Sequence, residues 1–324
     1  MTDQIVVLGW DALDVELMER HGVADLFGSH RSKIETYVND VIDEPHTKEL
    51  WPTMITGQTP PEHGIRAKTD SDGVEWNHPA LRVASALANN VVPQPVLSAI
   101  GRRLEAHGAA FEYYTAADYG DRGLETVFGP ADRPISIPNY TTQYDDAHSF
   151  DAHRRRLWSE MQLDRSRDDG IKPTVNIDTV QDILGRAVGK RLTHTVSAMQ
   201  SGAPVVWTWF GYLDSVGHIA PTLEYPLEAE AYRLAAGVTE MIQSLAGPET
   251  TVVSISDHGL QGGDHTHYAT IASHNPGVVE DVDAVWELAD WIRGVNAGGR
   301  PTPHTTPDRS FTELNEQLEA MGYV

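Results

Sequence analysis

The chain of 324 residues contains no cysteine, which excludes disulfides, thiolate metal sites and cysteine nucleophiles together. Any metal it holds is bound through oxygen and nitrogen. Lysine is scarce too: Lys33, Lys48, Lys68, Lys172 and Lys190 are the only ones, within 24 basic residues set against 47 Asp plus Glu, for a net charge of −23. A surface of that sign repels nucleic acid duplexes and anionic membranes, so neither is expected as a partner. No stretch approaches the ~20 apolar residues of a membrane span. Met1-Thr-Asp-Gln leads into an apolar strand pattern without a basic and then apolar leader, so a cytoplasmic location is expected. Also missing are a Gly-x-Gly-x-x-Gly after the first apolar run and a Gly-Lys-Ser/Thr loop, which argues against a dinucleotide or P-loop module. The carboxylates are spread along the chain rather than gathered in a tail. Concentrated salt screens the self-repulsion of such a surface, so the composition points to a halophilic source.

What is present alternates between two periods. Ile5 to Leu8 form a continuous apolar run ending in Gly9, the pattern of a strand buried on both faces. Val15 to Phe27 read as helical, and Pro45 to Ile65 as a loop leading into a short helix. Ile177, Val180, Leu184, Ala187, Val188, Leu192, Val196 and Met199 fall three and four apart, as do Leu227, Ala231, Leu234, Val238, Met241, Ile242 and Leu245. Gly247-Pro248 stop the second helix, and Thr251 to Ile255 supply a strand. This alternation predicts an α/β fold with a largely parallel central sheet flanked by helices. Between residues 67 and 173 the pattern weakens around Pro93, Pro95, Pro130, Pro134 and Pro138, and a cap or insertion over the sheet edge is expected there, with 1–66 and 174–324 as the core. Residues 297–307 read as a linker to a last amphipathic helix over 311–321.

Three apolar runs end in groups that bind metals: Asp11 after the first, Asp214 and His218 after Val205 to Tyr212, and Asp257-His258 after Thr251 to Ser256. Singly, an Asp after a strand is commonly a helix cap. Together they place carboxylate and imidazole where the ends of a parallel sheet gather distant residues. Asp214 and His218 stand four apart, on one side of a helical turn. Asp257 and His258 are neighbours, which suits two metals side by side, or a turn that Gly259 allows.

These clusters, with Thr47-Lys-Glu-Leu-Trp-Pro-Thr-Met-Ile-Thr-Gly57, Pro61-Glu-His-Gly-Ile65 and Gly263-Asp-His265 in the same order, resemble the alkaline phosphatase superfamily in its branch of type I phosphodiesterases and nucleotide pyrophosphatases. The resemblance implies an alkaline phosphatase-like fold and a hydroxyl nucleophile nine residues before Thr56-Gly57, which is Thr47, with Thr53 as runner-up. Lys48-Glu49-Leu50 depart from the family's usual residues after the nucleophile. The family pattern implies one metal on Asp214, His218 and a later His, where His265 fits and His267 and His274 compete. It implies a second on Asp11, Asp257, His258 and the Thr47 oxygen. His63 is expected to be structural beneath the loop, and His46 to stand behind the ligands or in solvent. Mixed imidazole and carboxylate ligation suits Zn²⁺ first and Mn²⁺ second.

Two such cations would make the Thr47 hydroxyl reactive and give a phosphothreonine intermediate on a small-molecule phosphoester. The implied activity is a two-metal phosphodiesterase or nucleotide pyrophosphatase. A phosphomonoesterase, a cofactor-independent phosphomutase of the same fold or a non-catalytic metal-binding pseudoenzyme are the alternatives, while a sulfatase lacks its Cys/Ser-x-Pro-x-Arg motif here. Phe111, Tyr113, Tyr114, Tyr140 and Trp158 are candidate lid aromatics, for stacking or for packing. With the charge balance, the resemblance suggests a halophilic archaeon.

Overall fold

The computed structural model describes residues 4–66, 114–142, 163–164 and 171–296. Strand β1, Gln4–Trp10, is the apolar run at the start of the chain, and its residues from Ile5 onward are all buried. The other strands are β2 (His30–Glu35), β3 (Arg133–Ile135), β4 (Leu163–Asp164), β5 (Lys172–Pro173), β6 (Val205–Phe210), β7 (Thr250–Ile255), β8 (Leu260–Gln261), β9 (Asp264–His265) and β10 (Tyr268–Ser273). Six form the central sheet in the order β2-β10-β7-β1-β6-β3. From β7 to β3 the neighbours are parallel, and β10 runs antiparallel between β7 and β2. The fold is therefore α/β with a largely parallel sheet.

The helices are α1 (Val15–Arg20), α2 (Ala24–Phe27), α3 (Thr47–Thr56), α4 (Pro60–His63), α5 (Ala116–Asp121), α6 (Ile177–Gln200), α7 (Tyr212–Ile219), α8 (Leu227–Leu245), α9 (Pro276–Asp281) and α10 (Leu288–Asn296). They lie on both faces because alternate β1 side chains point to opposite sides. Val6, Leu8 and Trp10 pack with apolar residues of α6, α7 and α8, whereas Ile5 and Val7 join Leu50, Trp51, Met54 and Ile55 of α3 with Leu288 and Ile292 of α10. The expected helix over 15–27 breaks at Gly22, whose φ of 68° is left-handed, so α1 and α2 are separate.

Residues 114–142, inside the stretch expected as a cap, instead supply edge strand β3 and bury Tyr119, Val127, Ile137 and Tyr140 in the core on the α3 face. Pro134 lies within β3, and an edge strand tolerates its missing N–H. Tyr140 is thus a core residue rather than a lid, and Tyr114 is half-buried beside it. Phe111, Tyr113 and Trp158 lie outside the described residues, as do the linker at 297–307 and the expected helix at 311–321. No helix among the described residues is long and apolar enough to cross a membrane.

Candidate metal centre

The ends of β1, β6 and β7 bring the expected residues together. Asp11 follows β1 directly, and the chain reverses at Ala12, which holds a left-handed φ of 65°, a strained conformation for a non-glycine residue. The reversal turns the Ala12 N–H toward Asp257 Oδ1, and the Asp214 N–H donates to the Asp11 carbonyl at 3.1 Å, which ties the β1 and β6 ends. Asp214 and His218 lie one turn apart on α7, with His218 Nε2 3.1 Å from Asp214 Oδ1. Between them, Gly217 lets the β8–β9 hairpin approach: a Cβ there would meet Leu260 Cδ2 at 2.4 Å. The hairpin delivers His265, whose Nε2 lies 3.3 Å from His218 Nε2 and 3.8 Å from Asp214 Oδ1.

Asp257 and His258 lie just beyond the end of β7, where alternation no longer separates neighbours. His258 Nε2 is 3.4 Å from Asp257 Oδ2 and 3.5 Å from Asp11 Oδ1. Its Nδ1 sits 3.1 Å from the Gly259 carbonyl, so Nδ1 carries the proton and the Nε2 lone pair faces the carboxylates. Gly259 serves close approach here and not a left-handed turn: a Cβ would lie 2.3 Å from Asp14 Oδ2 and 2.6 Å from Thr266 Oγ1. Behind it, Asp14 accepts hydrogen bonds from the Tyr268 hydroxyl at 2.8 Å and from Gln261 Nε2. Thr47 opens α3, and its Oγ1 is 3.4 Å from both Asp11 Oδ1 and His258 Nε2.

Two groups can each hold a cation: Asp11, Asp257 and His258, and Asp214, His258 and His265, with donor atoms within 4.8 Å of one another in each. His218 adjoins the second. The chemistry of the donors fits a metal. Asp257 Oδ2 is buried with no hydrogen-bond donor among the described residues, and the His218 and His265 Nε2 atoms face each other across a contact that two proton-bearing nitrogens would not favour. Burial pushes the His258 imidazole below its ordinary pKa, toward the neutral, ligating form. His265 is also pushed down by burial, but the Asp214 carboxylate, with Glu44 and Asp257, outweighs this and leaves it raised.

The remaining candidates stand elsewhere. His267 is exposed, and His274 lies beyond the far end of β10 between Ser29 and Gln243. Thr53 is wholly buried; its hydroxyl donates to the Glu49 carbonyl and meets His63 Nε2 at 3.1 Å, so it serves the α3–α4 junction. His46 caps α3 by accepting the Lys48 N–H at Nδ1. Two neighbours of the cluster were not singled out in the sequence. Glu44 Oε2 lies 3.5 Å from His265 Nδ1, and Asn139 Nδ2 donates to the Lys48 carbonyl at 2.9 Å. Nothing local marks Glu44, whereas Pro52 inside α3 signals that the Lys48 carbonyl, one turn earlier, receives no N–H from position 52.

A family model described as "Type I phosphodiesterase / nucleotide pyrophosphatase" matches residues 6–317. No curated protein sequence matches the chain. Among solved structures, alkaline phosphatase from the Antarctic bacterium TAB5 is similar at 10% identity and a TM-score of 0.44, covering 92% of this chain and 99% of its own. A protein from Pyrococcus horikoshii is similar at 8% identity and a TM-score of 0.45, covering 93% and 99%. A variant of the alkaline phosphatase PafA is similar at 12% identity and a TM-score of 0.42, covering 80% and 63%. At these scores the structural likenesses carry no weight, and the family model decides. The chain belongs to the type I phosphodiesterase and nucleotide pyrophosphatase family and is a metal-dependent phosphoester hydrolase.

Proposed function

We propose that the chain hydrolyses phosphodiester or pyrophosphate bonds of small molecules through a phosphothreonine at Thr47. The observation that carries this is the place of Thr47 Oγ1, 3.4 Å from an oxygen of Asp11 and 3.4 Å from Nε2 of His258, on the first residue of α3. Asp11, Asp257 and His258 would hold one divalent cation and Asp214, His218 and His265 a second, with Zn²⁺ favoured over Mn²⁺ by the mixed donors. When bound, such a pair supplies Lewis acidity that lowers the pKa of the hydroxyl and neutralises charge on the phosphoryl oxygens.

The chain's own groups carry the remaining steps. Thr47 Oγ1 gives up its proton and forms a bond to phosphorus as the bond from phosphorus to the leaving oxygen breaks on the opposite side, and the leaving oxygen takes up a proton from solvent. Water then attacks the same phosphorus, the bond to Thr47 Oγ1 breaks, and the hydroxyl regains its proton. The N-terminal end of α3 directs the positive end of its dipole at the phosphoryl oxygens. The acidic, lysine-poor composition supports a halophilic source.

The test compares bis-p-nitrophenyl phosphate with p-nitrophenyl phosphate, using metal-loaded wild type and Thr47→Ala in molar salt. Diester hydrolysis that disappears on chelation and falls at least about a thousandfold in Thr47→Ala is expected. A monoester preference would move the reading to a phosphatase. No turnover of either ester by folded, metal-loaded protein would favour a mutase or a pseudoenzyme, and an active Thr47→Ala would remove Thr47 as nucleophile.

A further inference from the structure

The helix that carries Thr47 has a proline inside it. Pro52 offers no N–H to the Lys48 carbonyl four residues back, so the helical ladder is interrupted at the residue after Thr47. A donor from a distant part of the chain stands in: Asn139 Nδ2 donates to the Lys48 oxygen at 2.9 Å. Asn139 follows edge strand β3 and is itself held in place. Its φ of 56° is left-handed, a region that Asn tolerates better than most residues. Its carbonyl accepts the Tyr119 hydroxyl at 2.8 Å, and Tyr119 is fully buried, with its ring edge-on to Tyr140.

We propose that Asn139 is a positioning residue for the nucleophile. It replaces the backbone donor that Pro52 removes and thereby fixes the first turn of α3, which sets the Thr47 hydroxyl against Asp11 and His258. This rests on the reading of Thr47 as the nucleophile. A helix with one rung missing can bend at that rung. A shift of about 1 Å at a reacting atom can cost up to a hundredfold in rate. Among the described residues Asn139 bonds to Lys48 and Tyr119 and not to Thr47, Asp11 or His258, so its effect falls on kcat rather than on substrate binding.

The full-length chain tests this with Asn139→Gly, which keeps the left-handed backbone unstrained while deleting the amide, and Pro52→Ala, which restores the missing N–H. Both single variants and the double are compared for kcat and KM on bis-p-nitrophenyl phosphate, and for amide hydrogen exchange of residues 47–51 without metal. Asn139→Gly is expected to lower kcat about tenfold with KM within about threefold, and to speed exchange in the first turn. In the Pro52→Ala background the same substitution is expected to change neither by more than about twofold. An equal loss in both backgrounds, or no loss in either, overturns the proposal. Thr47→Ala run in parallel separates the two readings: if it stays active the nucleophile assignment fails, and the exchange data alone then decide whether Asn139 braces the helix.

Discussion

His258 is wholly buried against two carboxylates, and burial holds it in the neutral form that can donate a lone pair. Its orientation depends on the Gly259 carbonyl, and Gly259 leaves no room for a side chain beside Asp14. Gly259→Ala is therefore expected to swing His258 and weaken Zn²⁺ binding at least about tenfold in a competition titration, the scale on which groups behind metal ligands act. Unchanged affinity would mean that the loop adapts without moving the imidazole. Burying Asp11 and Asp257 beside Asp214 is costly without a cation. Chelation is accordingly expected to lower the melting temperature by roughly 5–10 °C, with Zn²⁺ restoring it; equal melting with and without metal would count against this cluster as the binding site. Asp11, Asp214, His218, Asp257 and His258 stood out in the sequence because each follows an apolar strand run, whereas His265 was placed only by the family resemblance. For Asp257 and His258 the sequence left open two metals side by side or a turn after the strand, and the structure ends β7 at Ile255, before both. Glu44 and Asn139 were hidden for another reason: their partners, His265 and Lys48, are distant in sequence.

At the scale of elements, α3 reaches the cluster because β1 is bare where the helix crosses it. A Cβ on Gly9 would stand 2.5 Å from the Trp51 ring, so Gly9→Ala must push α3 off the sheet. Overpacking of this kind costs about 1–3 kcal/mol, and the variant is expected to show a lower denaturation midpoint together with a lower kcat. A midpoint equal to wild type would show that Trp51 can rotate away. The far end of α3 is tied to α4 by His63, whose Nδ1 accepts the Ile65 N–H and whose Nε2 meets Thr53 Oγ1. Burial pushes its pKa from 6.5 down to about 4. A base depressed in the folded state contributes stability above pH 6.5 and loses it as pH falls toward 4, because the unfolded chain takes up the proton first. The effect is of order 3 kcal/mol. Denaturation midpoints of wild type measured across that window should fall more steeply than those of His63→Gln; parallel curves would place the titration elsewhere. The long helices α6 and α8 were legible from their apolar spacing. β3 was not, because two of its three residues are Arg133 and Pro134 and it survives only as an edge.

For the whole molecule, a net charge of −23 sets the conditions under which any of this can be measured. Repulsion among exposed carboxylates is damped once the Debye length shrinks to about 3 Å, near 1 M salt. Melting temperature is expected to climb by roughly 10 °C or more between 0.1 and 2 M KCl, and a flat response would remove the halophilic reading. The order of the sheet has a further consequence. β1 is made first, yet it lies in the middle, and Ile5 pairs with Val205 on one side and Thr251 on the other. During translation its apolar run must wait for Val205–Phe210 before its first neighbour exists and for Thr250–Ile255 before its second, and loop closure over such spans is slow. The nascent protein is thus exposed to mispairing for most of its synthesis, and acquires the complete set of proposed ligands only when His265 has emerged. Chains stalled before β7 should remain protease-sensitive throughout β1, and protection appearing earlier would show that β6 alone suffices to shelter it.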